Sequence, residues 1–269
     1  MNKTIGFIGA GNMAQAIITG IVNSALVSPD KVLAYDVLAE KTAELHDSLG
    51  ITACASTIEV AAGCDILFLA VKPYLVAQVL QEVASRLRPD TVVVSIAAGV
   101  TLAKLAEASS KSVKLVRAMP NTPALVNAGM SSLTPNKLVT AEEMADIQAI
   151  FASFGRAEVV PESLIHAVTG VSGSAPAYVF MFIEAMADAA VLGGMPRAQA
   201  YQFAAQTVAG AARMVLETGQ HPGALKDMVC SPGGTTIEAV KVLEERGLRA
   251  AVMEAIERCM DKSERMSKQ

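Results

Sequence analysis

The chain has no tryptophan, only 4% aromatic residues and 3 histidines among its 269 residues. Because 52% of it is nevertheless apolar, packing falls to Ala, Val, Leu, Ile and Met, which favours alanine-rich helices in close contact. The four cysteines, Cys54, Cys64, Cys230 and Cys259, form no Cys-x-x-Cys pair and meet no histidine cluster. That spacing argues against structural zinc and fits reduced thiols in a reducing compartment. No metal is expected. Basic residues are scattered, and 22 Lys and Arg against 26 Asp and Glu leave a net charge of −4, so the electrostatic footprint of a nucleic-acid-binding surface is missing. No long apolar run follows a basic start at the N-terminus, so no secretory signal is expected and a cytoplasmic location follows. One stretch, 175–195, is apolar nearly all round. It carries Glu184 and Asp188 four apart on one face, which fits a helix buried in a protein interface better than a membrane span.

What is present starts at the N-terminus. A short apolar strand, 5–8, runs into Gly9-x-Gly11-x-x-Ala14 and then into a helix with apolar residues at Ala16, Ile17, Gly20 and Ile21. This is the setting a dinucleotide fingerprint requires: Gly9 for the tight turn, Gly11 for approach of the pyrophosphate, Ala14 for close packing of helix on strand. Asp36 closes a second apolar strand, where a ribose hydroxyl would be read. Strand, turn and helix signals alternate through about residue 160, with strands expected at 4–8, 32–35, 51–53, 66–70, 92–95 and 114–117, then a helix over 141–154 and a strand over 157–160. Beyond Pro161 and Glu162 the pattern is helical only. The predicted fold class is α/β: a Rossmann-type dinucleotide-binding domain (1–160) followed by an all-α dimerisation and substrate domain (161–269).

In an open α/β sheet the ligand lies beyond the carboxyl ends of the strands. That rule selects the loops after Ile8, Ala70, Ser95 and Arg117: Ile8 to Met13 (Ile8, Gly9, Ala10, Gly11, Asn12, Met13), then Ala70, Val71, Lys72 and Pro73, then Ala97, Ala98 and Gly99, whose small side chains leave room for a flat ring or a ribose, and the segment that follows Arg117. The second half offers a different site. Ser231-Pro232-Gly233-Gly234-Thr235-Thr236 joins a glycine-rich turn to a helix start, where free backbone N–H groups and the positive dipole end suit a small carboxylate. Thr235 with Glu238 matches a capping box, which would occupy the Thr235 hydroxyl and leave that of Thr236 free.

Together these segments resemble pyrroline-5-carboxylate reductases over essentially the whole chain. The carriers are Ile8-Gly9-Ala10-Gly11-Asn12-Met13, Ala70-Val71-Lys72-Pro73, Ser95-Ile96-Ala97-Ala98-Gly99-Val100, Arg117-Ala118-Met119-Pro120-Asn121-Thr122-Pro123, Gly170-Val171-Ser172-Gly173-Ser174-Ala175-Pro176-Ala177-Tyr178, His221-Pro222-Gly223 and the 231–236 loop. The resemblance implies hydride transfer from NADPH or NADH to the C=N carbon of 1-pyrroline-5-carboxylate, giving L-proline. It makes Lys72 part of a backbone cradle for the cofactor, against a reading as general acid, and places Glu162 near the substrate. The assignments that follow are Thr236 as the catalytic contact to the ring nitrogen, the Gly233, Gly234 and Thr235 N–H groups for the carboxylate, and Glu162 and Asn121 as further substrate contacts.

A cyclic imine is basic enough to take its proton from solution, so the lack of a convincing His or Lys acid suits this chemistry. It weighs against an alcohol or hydroxyacid dehydrogenase, where a carbonyl oxygen must be protonated. A dinucleotide sensor without turnover is the other alternative, and the intact Thr236 loop argues against it. Where many relatives offer the cofactor a 2′-phosphate site, this chain has Asp36-Val37-Leu38-Ala39-Glu40-Lys41; a carboxylate there favours the ribose hydroxyls of NADH, so NADH is expected to be accepted. The apolar helix after Pro176 needs a partner, and a homodimer is expected, which the family resemblance extends to a ring of dimers, with each substrate site completed near the subunit boundary.

Overall fold

The computed structural model describes residues 1–109 and 112–268. The chain divides into two compact units, Met1–Gly173 with the segment from Cys259 onward, and Ser174–Arg258. In chain order the first unit contains β1 (Ile5–Ile8), α1 (Asn12–Asn23), β2 (Val32–Tyr35), α2 (Ala39–Leu49), β3 (Thr52–Ala53), α3 (Thr57–Gly63), β4 (Ile66–Leu69), α4 (Val76–Val83), β5 (Val92–Ser95), α5 (Leu102–Ser109) and β6 (Lys114–Met119). It continues with β7 (Gly129–Pro135), α6 (Ala141–Ala152), β8 (Gly155–Val159) and α7 (Ile165–Val168).

The strands form one sheet in the order β3-β2-β1-β4-β5-β6-β7-β8. Every pairing is parallel except β6 with β7. The central strands Ile-Gly-Phe-Ile, Ile-Leu-Phe-Leu and Val-Val-Val-Ser are buried throughout, as strands covered by helices on both faces must be. On one face Phe7 stacks on Phe68 with ring centroids 4.7 Å apart, and Phe151 on α6 and Phe154 just beyond it continue the cluster. On the other, Leu67, Leu69 and Val93 meet α3, α4 and α5. The chain order reverses between β1 and β4, so the cleft for a ligand opens at their carboxyl ends.

One strand lies outside the sequence expectation. β7 pairs antiparallel with β6, setting Ala118 against Leu133, and carries buried Ser131, Ser132 and Thr134. It extends the sheet so that β8 can pair parallel beside it.

The second unit comprises α8 (Ala175–Leu192), α9 (Arg197–Thr218), α10 (Pro222–Val229), α11 (Thr235–Glu245) and the first turns of α12 (Leu248–Ser267). Ala187, Ala200 and Ala204 form the buried seam between α8 and α9. Alanine at these positions lets two backbones approach closely, but it covers little surface. Phe180 remains 62% exposed, Met181 67% and Leu192 92%. The helical segment Glu162–Leu192 is long and apolar enough to cross a membrane by length and composition, and an exposed apolar patch of this kind marks an interaction surface.

Candidate active site

The cleft beyond β1 and β4 is built by glycines with distinct steric roles. Gly9 sits at φ 101°, left-handed backbone, and a Cβ there would lie 2.6 Å from the Ala70 carbonyl oxygen. Only glycine lets the turn after β1 pass this close to the end of β4. Gly11, the N-cap of α1, has no atom within 4 Å of the place a Cβ would take. It leaves an open approach to the α1 N-terminus, whose free N–H groups are the fold's anion site. The cleft holds about 480 Å³ and is lined by Gly9, Gly11, Asn12, Met13, Asp36, Lys41, Ala70, Val71, Lys72, Pro73, Ala97 and Ala98, among others. Its size and its open glycine wall fit a dinucleotide.

Three sequence-assigned residues stand behind this surface. Ile8 is buried at the end of β1, and Ala10 is fully buried. Gly99, at φ 78°, lines an adjoining apolar groove with Tyr74, Val100 and Met266. Asp36 is fixed on both oxygens: Oδ2 accepts the Ala10 N–H at 2.7 Å and Oδ1 accepts the Leu38 N–H at 3.0 Å. A carboxylate held this way faces the cleft in one orientation, and Lys41 on the same wall is the nearby countercharge. Lys72 is exposed and extended ahead of Pro73, which starts a short 3-10 turn.

Asn121 and Glu162 are tied into the scaffold of the first unit. The Asn121 side chain accepts the Met130 N–H at 2.8 Å and donates to the Ser172 carbonyl at 2.9 Å. It joins the end of β6 to β7 and to the π-helical turn Thr169–Ser174. Glu162 Oε1 accepts from Arg117 Nη1 at 2.8 Å and from the Leu102 N–H at 2.9 Å. No motif marks Arg117 as a chemical group, yet a cation inside the apolar run Leu115-Val116-Arg117-Ala118 requires a partner, and that requirement is the signal in the sequence.

In the second unit, residues 231–234 form a turn closed by the Gly234 N–H on the Ser231 carbonyl at 3.0 Å, with Gly233 at φ 65°. The expected capping box is not formed. Gly234 is the N-cap of α11, without a side-chain cap, and Thr235 is the first helical residue. Thr235 is exposed and Thr236 half-buried. With Gly234 in the cap, the first N–H groups of α11 stay available to an anion.

Each of the three histidines has a hydrogen-bond partner within its own part of the fold. His46 Nδ1 meets the Ile51 carbonyl at 2.6 Å, His166 Nδ1 meets Ser263 Oγ at 2.9 Å, and His221 Nδ1 accepts the Gly223 N–H at 3.0 Å as the cap of α10. Burial pushes the Cys64 thiol up to about 12 and that of Cys54 to about 11, so both stay protonated and inert at neutral pH. Among the described residues no group of His, Cys, Asp and Glu is placed to hold a metal.

Known proteins agree with both units. A family model described as pyrroline-5-carboxylate reductase dimerisation matches residues 162–266, and one described as NADP oxidoreductase, coenzyme F420-dependent, matches residues 4–99. A pyrroline-5-carboxylate reductase of Escherichia coli K12 is 65% identical over 268 residues, covering 100% of both chains. Among solved structures, a pyrroline-5-carboxylate reductase from Coxiella burnetii superposes with a TM-score of 0.95 at 34% identity, covering 100% of each chain. A Plasmodium falciparum pyrroline carboxylate reductase with NADP bound gives 0.88 at 32% identity, covering 99% of this chain and 98% of that one. With likeness running through the cleft, the 231–236 turn and the helical unit alike, this chain belongs to the pyrroline-5-carboxylate reductase family.

Proposed function

We infer that this chain reduces 1-pyrroline-5-carboxylate to L-proline with NADPH or NADH, the last step of proline biosynthesis, in the cytoplasm. The observation that carries the reading is full-length identity of 65% to a reductase of that name, joined to a cleft whose Gly9 and Gly11 give a pyrophosphate open backbone. The bound cofactor supplies a hydride for the C=N carbon. The chain's own residues orient and recognise. In this reading Ala97 and Ala98 leave a flat wall, the 70–73 segment cradles the cofactor through its backbone, and the Gly233, Gly234 and Thr235 N–H groups take the carboxylate. The Thr236 hydroxyl bonds the ring nitrogen, which carries a proton from solvent. The functional division is drawn at 1–160 for the cofactor and 161–269 for substrate and self-association, and neither membrane nor nucleic acid is a partner. The test is oxidation of NADH or NADPH by the purified protein: rapid turnover with pyrroline-5-carboxylate and none with 2-oxo acids is expected, and the reverse would make it a hydroxyacid dehydrogenase.

The 231–236 geometry separates two adjacent threonines. Because Gly234 holds the cap, Thr235→Ala should change stability by less than about 0.5 kcal/mol. Thr236→Ala should lower kcat by roughly 10- to 100-fold with unchanged melting, as the loss of a charge-assisted hydrogen bond. Wild-type turnover in the Thr236→Ala enzyme removes Thr236 from the site.

Asp36 sets the cofactor expectation. Its charge is fixed at the cleft wall by two N–H groups and would repel a 2′-phosphate while accepting a ribose hydroxyl. NADH should be used at least as well as NADPH, and Asp36→Ser should move kcat/KM toward NADPH. Asp36→Asn, which keeps an acceptor for the Ala10 N–H, separates charge from loop geometry. A wild-type preference for NADPH of about tenfold, or 1.4 kcal/mol, would leave Asp36 without this role.

A further inference from the structure

One carboxylate oxygen ties the end of the loop 96–101 to the strand beside its start. It leaves β5 at Ser95, which lies directly across from Arg117 in the β5–β6 register, and enters α5 at Leu102. Glu162 Oε1 accepts from Arg117 Nη1 at 2.8 Å and from the Leu102 N–H at 2.9 Å. The Arg117 side chain is 6% exposed and that of Glu162 34%, so the pair is shielded on the arginine side and the oxygen has a fixed donor on each flank. Leu102 is also the first residue of α5, whose N-terminal dipole adds to the attraction. The Ala97 N–H leans on Ser95 Oγ at 3.4 Å, and Lys104 N–H caps onto Thr101 Oγ1 at 3.2 Å.

We propose that Glu162 is a positioning residue for hydride transfer: by bridging Arg117 to the Leu102 amide it holds the loop carrying Ala97 and Ala98 in the shape that seats the nicotinamide ring. The proposal rests on the reading of that loop as the nicotinamide wall. It differs from a substrate contact in what it controls. A group that holds pyrroline-5-carboxylate equally in the ground and transition states sets KM, whereas a clamp on the ring's wall sets the fraction of bound cofactor poised to react, and so sets kcat.

Glu162→Ala and Glu162→Gln are compared with the parent in the presence of saturating NADH, by steady-state kinetics and by amide hydrogen exchange. In Glu162→Ala, kcat should fall by roughly 10- to 100-fold, while KM for pyrroline-5-carboxylate changes by less than about threefold. Exchange at residues 96–102 should quicken by about tenfold or more while the β1 and β4 amides keep parent rates. Glu162→Gln retains an acceptor oxygen without the charge and should lie between; it carries the same two readouts if the alanine variant does not fold. Parent-like exchange in the loop, or a parent-like kcat, overturns the proposal, as does a rise in KM for pyrroline-5-carboxylate with kcat intact. If the parent itself does not reduce pyrroline-5-carboxylate, the functional reading fails, and the exchange comparison alone decides whether the clamp exists.

Discussion

Gly9→Ala is expected to cost roughly 2–5 kcal/mol of stability and to abolish measurable use of either cofactor, because the new methyl meets backbone that cannot yield. Its Cβ would lie 2.6 Å from the Ala70 carbonyl oxygen, at a φ of 101° that L side chains rarely adopt. The Ala70 N–H is itself bonded to the Ile8 carbonyl at 2.9 Å, so relief would have to come from parting β1 and β4. Gly11→Ala is the matched control. No atom lies within 4 Å of its Cβ position, so melting should be unchanged, while the methyl stands where the pyrophosphate approaches and KM for both cofactors rises by about tenfold or more. Thermal melts and cofactor titrations of the two variants check this. Equal melting temperatures for Gly9→Ala and the parent would refute the steric account.

Phe180→Asp is expected to dissociate or aggregate the protein. Phe180, Met181 and Phe182 follow one another on α8 and are all exposed in a single chain, within the region that matches a dimerisation family. In a self-associated protein this surface is desolvated, and an unpaired carboxylate there costs several kcal/mol. Phe203 on α9, 64% exposed, should respond in the same direction when replaced by Asp. Sedimentation reads the outcome. A parent protein that stays monomeric at micromolar concentration would contradict the assignment of this surface to self-association.

Most of the sheet was legible in the sequence because its strands are buried on both faces and read as unbroken apolar runs, as in Ile66-Leu67-Phe68-Leu69. β7 was not, for a physical reason: Ser131, Ser132 and Thr134 are buried polar residues, and the strand ends at Pro135. Neither apolar alternation nor an apolar run marks it. The fingerprint glycines were legible because their demand on backbone geometry is local. The cap of α11 lies one residue earlier than Thr235 with Glu238 suggests, since that pair satisfies the capping pattern while glycine serves at the N-cap nearly as well. Asn121 and Glu162 show the limit most plainly. Their partners Ser172 and Arg117 lie 51 and 45 residues away in sequence, and no spacing rule connects such pairs; only the folded sheet does.

The central claim, hydride delivery to a cyclic imine carbon, is tested most directly by following the transferred hydrogen. The protein is incubated with pyrroline-5-carboxylate and NADH deuterated at the transferable nicotinamide position, and the product is examined by mass spectrometry and NMR. The account predicts L-proline carrying one deuterium, on the ring carbon that had been part of the C=N bond, for each cofactor oxidised. Cofactor oxidation without deuterium at that carbon, or no proline at all, would contradict it.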